Sequence, residues 1–150
     1  MPTHSEDTVH ILNSLIETTL DSAHGYEESA EATDNPHLKT LFEMRAMRRK
    51  QLTAELQNEV RHFGGEPEDH GTILAKAHRV FVGLRGKVTG GDAKAVVDEV
   101  DRGEDVLKAK FEKARDNEDL PEYLRERIGK ATNGILADHV EISRLKDQLH

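Results

Sequence analysis

The chain has no cysteine and no tryptophan, and aromatic residues fill only 4% of its 150 positions. Without thiols there is no structural disulfide, no cysteine-based zinc site and no thiol nucleophile. A cysteine-free chain also suits a reducing compartment, and a cytoplasmic location is the expectation. No apolar run approaches the roughly 20 residues that span a bilayer, so no membrane helix is expected. The first seven residues are polar and lead into no apolar stretch of the signal-peptide kind, so export by that route is not expected. Basic charge is the scarcer sign, with 21 Lys and Arg against 29 Asp and Glu, for a net charge of -8. That balance argues against nucleic acid or an anionic membrane as the main partner.

What remains is a chain in which 33% of residues are charged and only four are proline. This is the composition of long, salt-bridged helices with a narrow aliphatic seam, and the length fits one domain over residues 1–150. The apolar spacing predicts a first helix over 5–33, capped by Ser5, with Glu6 and Asp7 at the positive end of the dipole. Its seam is Val9, Leu12, Ile16, Thr19, Ala23, Tyr26 and Ala30. Steps of three and four residues signal near-parallel bundle packing. Asp34-Asn35-Pro36 closes that helix and opens the next, which carries Leu38, Phe42, Arg45, Arg49, Leu52, Leu56, Val60 and Phe63 and stops at Gly64-Gly65. A link that short forces an antiparallel hairpin.

A shorter helix is expected over 73–87, capped by Thr72, with Val80, Phe81 and Leu84 on its apolar face. After Gly90-Gly91 comes a helix with Ala93, Val97, Val100, Glu104, Leu107, Phe111 and Ala114. Pro121 opens the last helix, whose seam is Leu124, Ile128, Ala131, Ile135, Ile142, Leu145 and Leu149. The fold expected is all-α: a ferritin-like four-helix bundle of two antiparallel hairpins, joined by a crossover that contains the extra short helix.

Several charges occupy positions where a core residue is expected. Glu104 sits squarely in its seam, Arg45 and Arg49 in theirs, and His139 flanks the last one. A buried charge is costly unless paired, so these groups should meet one another or reach water. Arginines at a core boundary can also extend their heads into solvent. The candidate polar core cluster is therefore Asp21, Arg45, Arg49, Glu104 and His139.

A diiron bundle needs Glu-x-x-His on two helices, because spacing of three puts both ligands on one inward face. Only Glu59 and His62 meet the pattern, near the end of their helix and beside core residues Val60 and Phe63, which points them at solvent. Glu17, Asp21, His24 and Glu28 form one stripe that could hold a divalent ion, or could simply be a solvated acidic face. No phosphate-cradling loop, nucleophile elbow or Ser/His/Asp arrangement is present. No catalytic residue, cofactor or metal is assigned.

The stretches LNSLIETTLDSAHGYEESAEAT, ELQNEVRHFGGEPEDHGTILAKAHRVFVGLRGKVTGGD and RGEDVLKAKFEKARDNEDLPEYLRERI resemble an uncharacterised, mostly proteobacterial four-helix-bundle family of unknown function in the ferritin-like superfamily. The likeness spans residues 9–145 and includes Gly64-Gly65-x-Pro67, His78-Arg79 and Gly103-Glu104-Asp105. It implies the fold and names no activity. Of the ligand pattern that the superfamily implies, Glu104 seven residues before Phe111 is kept, and so is His139. Thr19, Arg49, Leu52 and Leu136 stand where the other ligands belong. The function expected is that of a non-catalytic bundle acting through a protein partner or by self-assembly, for instance as a homodimer. Arg49 would neutralise Glu104, and Asp21 beside it. The alternative is metal binding by a non-standard set of Glu104, His139, Asp21 and His24.

Overall fold

A computed structural model describes residues 4–71 and 93–149, and every structural element among them is helical. The short helix expected over 73–87, with Val80, Phe81, Leu84 and the His78-Arg79 pair, lies outside the described residues. The four helices are α1 (His4–Ala32), α2 (Pro36–His62), α3 (Ala93–Arg115) and α4 (Glu122–Leu149). No helix among the described residues is long and apolar enough to cross a membrane.

Local chemistry accounts for the ends. At the start of α2 the Asn35 side chain accepts the backbone N–H groups of His37 and Leu38 at 2.9 and 3.1 Å, and Pro36 follows where no N–H is needed. At its end Gly64 adopts φ 79, and Gly65 donates to the Val60 carbonyl at 3.0 Å. Gly65 has a second reason to lack a side chain, since a Cβ there would stand 2.6 Å from Val9. Between α3 and α4 the turn is closed by Asn117, whose side chain accepts the Asp119 N–H at 2.9 Å.

Contacts fix the directions. Ser22 meets Arg49 and Ala30 meets Lys39, so α1 and α2 are antiparallel. Asp101 meets Lys146 while Arg115 meets Arg125, so α3 and α4 are antiparallel too. Tyr26 reaches Glu104 and Ser14 is reached by Lys110, so α3 also runs against α1. Helices α2 and α3 therefore point the same way. The described residues just after α2 lie beside α1: Gly65 lies at Val9, and the Asn13 amide bonds the backbone of Glu66 and Glu68.

Two apolar clusters fill the interior. One gathers Leu12, Ile16, Leu56, Val60, Leu107, Phe111, Leu124 and Ile128; the other gathers Ala30, Leu38, Phe42, Val97, Val100 and Ile142. Each fully buried large apolar side chain contributes about 1.5–3 kcal/mol of transfer free energy. At some seam positions the more buried residue stands one place from the expected one, which stays half-buried against the core. Thr53 is buried where Leu52 was expected, and Thr132 where Ala131 was. The threonines tolerate burial because their hydroxyls donate to the carbonyls one turn back, Thr53 to Arg49 at 2.8 Å and Thr132 to Ile128 at 2.7 Å. On α4 the same shift carries Asp138 inward in place of His139. Leu149 lies on the surface.

Candidate functional site

Between the two apolar clusters lies a layer of charge to which every helix contributes. Helix α1 supplies Tyr26, α2 supplies Arg45 and Arg49, α3 supplies Glu104, and α4 supplies Asp138 and Glu141. Arg45, Arg49 and Glu104 are each at most 2% exposed, so their partners must be protein groups.

Arg49 holds Glu104 with both arms of its guanidinium, Nη1 to Oε1 at 3.2 Å and Nη2 to Oε2 at 3.3 Å. Its Nη2 also donates to Asp138 Oδ2 at 2.9 Å. The Tyr26 hydroxyl donates to Glu104 Oε1 at 2.8 Å and accepts from Arg45 Nη1 at 3.2 Å. Arg45 Nη2 pairs with Glu141 at the surface. Asp138 is shared by three arginines, with Arg48 Nη2 3.1 Å away and Arg45 Nε 3.3 Å away. That Nε is not aligned to donate, and it is the one buried side-chain nitrogen or oxygen without a hydrogen bond among the described residues. Both guanidiniums also lie near the Tyr26 ring, at 5.5 Å for Arg49 and 6.0 Å for Arg45, where its negative face favours cations.

The electrostatics follow from burial. Desolvation pushes the Glu104 carboxyl above the usual carboxylate range, against the pull of Arg49 and the Tyr26 hydrogen bond. Burial first, and then the Glu104 charge, push the Tyr26 phenol far above its ordinary value. The phenol therefore stays protonated and works as a fixed bridge between Arg45 and Glu104. A recess of about 200 Å³ between α1 and α3 reaches Tyr26 and Glu104. A groove of about 630 Å³ between α2 and α4 reaches Arg49 and Asp138. That groove exists because the backbones of α2 and α4 do not pack closely and are bridged by long charged side chains.

Of the residues singled out from sequence, Arg45, Arg49 and Glu104 come together here. Asp21 does not: it lies a turn away at the edge of the α1–α3 recess, against Gly71. Nor does His139, which turns towards α3 and puts Nε2 2.7 Å from Asp105 and 3.4 Å from Asp101. His24 is exposed, with Glu27 at 3.6 Å. Glu104, His139, Asp21 and His24 thus share no centre, and the non-standard ligand set dissolves. Glu59 of the Glu-x-x-His stretch accepts from Tyr123 and Arg127 of α4, while His62 is exposed.

Sequence reasoning missed Asp138, Glu141 and Arg48. Charge balance offered a signal, because two buried arginines facing a single buried glutamate require a further acid.

A family model described as "Domain of unknown function (DUF2383)" matches residues 7–117. The chain belongs to the DUF2383 family. The match takes in α1, α2 and α3 of this DUF2383 chain, and with them Tyr26, Arg45, Arg49 and Glu104. Asp138 and Glu141 lie beyond it, on α4. No curated protein matches the chain.

Proposed function

We propose that this DUF2383 chain is a non-catalytic, ferritin-like bundle of one domain over residues 1–150 that acts by association, with a second copy or another protein, in the cytoplasm. Under this reading the link between α2 and α3 is the crossover that carries the short helix expected over 73–87. One observation carries it: two guanidiniums occupy the bundle centre and saturate the carboxylates that face it. A cation brought to Glu104 would have to displace Arg49 and sit against its charge, at a Coulombic cost of about 4 kcal/mol per charge pair near 4 Å. The layer therefore serves structure, and chemistry at the bundle centre is lost. Association is supported by the exposed apolar side chains of Met44 and Met47, one turn apart on α2, with Val140 on α4.

Light scattering of the untagged chain across a concentration series tests this. The expected result is a concentration-dependent rise in mass that Met44→Ser with Met47→Ser abolishes, or a defined partner whose binding the same pair abolishes. A strict monomer whose divalent metal content disappears in Glu104→Gln contradicts the reading.

A further inference from the structure

Helix α3 carries Asp98, Asp101 and Asp105 at spacings of three and four, which set them along one stripe. Across from them α4 presents His139, Ser143 and Lys146. His139 Nε2 stands 2.7 Å from Asp105 Oδ1 and 3.4 Å from Asp101 Oδ1, and one ligand atom from each of the three residues falls within 4.8 Å of the others. Carboxylates alone would make a solvated acidic stripe. The imidazole, delivered from a second helix and aimed between two of them, changes the donor set to one nitrogen and two oxygens, which suits borderline transition metals better than calcium or magnesium.

The two helices are held in register from below by Val97, Val100 and Leu107 on α3 and by Ile135 and Ile142 on α4, all buried. Asp101 is anchored further: Lys146 Nζ donates to its Oδ2 at 3.2 Å and Ser143 to its Oδ1 at 3.4 Å. Such outer hydrogen bonds orient ligating carboxylates. Ligand atoms around a tetrahedral ion bound at ~2.1 Å stand roughly 3.4 Å apart. The His139–Asp101 separation has that value, and exposed Asp105 need only swing outward by a fraction of an ångström.

We propose that Asp101, Asp105 and His139 form a divalent transition-metal site at the α3–α4 seam, with water completing the coordination. It lies beside the ionic layer, about 100° around α3 and α4 from Glu104 and Asp138, and shares no residue with it. The site is independent of how the chain associates.

The test titrates the full, untagged chain with Co²⁺ by visible absorption and with Zn²⁺ by calorimetry. One equivalent is expected to bind. His139→Gln and Asp105→Asn should each weaken it by roughly tenfold or more, at least the loss seen when an outer-shell partner is removed. His24→Gln, His62→Gln and Glu104→Gln should leave it unchanged, and circular dichroism melts establish that every variant is folded. Binding that survives His139→Gln, or no binding by the wild type, overturns the proposal. So does Ca²⁺ displacing Co²⁺ as readily as Zn²⁺ does, since an acidic stripe alone behaves that way.

Discussion

Removing the Arg49 guanidinium tests the reasoning about the bundle centre most directly. In Arg49→Ala, Glu104 loses both of its charge-assisted bonds and keeps only the Tyr26 hydroxyl, at 1% exposure. Asp138 fares better because Arg45 and Arg48 remain beside it. The stranded charge is therefore Glu104, and breaking one side of a buried pair costs about 3–5 kcal/mol. Protonation of Glu104 limits the loss. Burial already raises this carboxyl above its unfolded value, and removing Arg49 raises it further. A group with a raised folded pKa favours the folded state at low pH, and that contribution disappears as pH rises through the folded value. The penalty should thus be smaller near pH 5 than near pH 8. Urea unfolding of wild type and variant at both pH values measures it. A loss below about 1 kcal/mol at pH 8, the range of exposed ion pairs, would refute the buried-pair account. So would a penalty that shrinks as pH rises.

Glu104→Gln should flatten part of the pH dependence of stability. The wild type loses stability relative to this variant as pH climbs above the ordinary carboxylate range, because folded Glu104 holds its proton longer than the unfolded chain does; chemical denaturation at stepped pH reads the difference. Tyr26→Phe leaves Arg45 Nη1 and Glu104 Oε1 each short of a partner and should cost about 1–3 kcal/mol by thermal or urea unfolding. In the wild type, absorbance at 295 nm should show at most one of the two tyrosines ionising before the chain unfolds in alkali, since Tyr26 is held protonated by burial. Phe111→Ala empties a fully buried position and should lower stability by about 3–5 kcal/mol. Asn35→Ala should cost about 1 kcal/mol through the lost cap at the start of α2, visible as a small drop in melting temperature.

Much of this was legible in the residue order because it depends on local rules. Asn35-Pro36 and Gly64-Gly65 mark the ends of α2 through backbone hydrogen bonding, and the three- and four-residue steps of Leu12, Ile16, Thr19 and Ala23 place one face inward. The same steps exposed Glu104, Arg45 and Arg49 as charges in a seam. Which residue the bundle chose at a boundary was not legible. Ala131 and Thr132, or Asp138 and His139, lie about 100° apart on α4, and a small rotation of that helix decides between them. Hydrophobicity favours Ala131, but Thr132 buries at little cost by bonding Ile128.

The sequence by itself determined the helical character of the described residues, the ends of α2, the absence of thiol chemistry and the presence of buried charge that had to be neutralised. Only the tertiary structure decided which acids neutralise it. Arg49 found Glu104 and Asp138, where Asp21 was the expected second acid, and His139 turned out to Asp101 and Asp105. The physical reason is that ion pairs between helices depend on the rotation and height of each helix. The summed packing of the apolar seams sets these, and no charged residue chooses them alone.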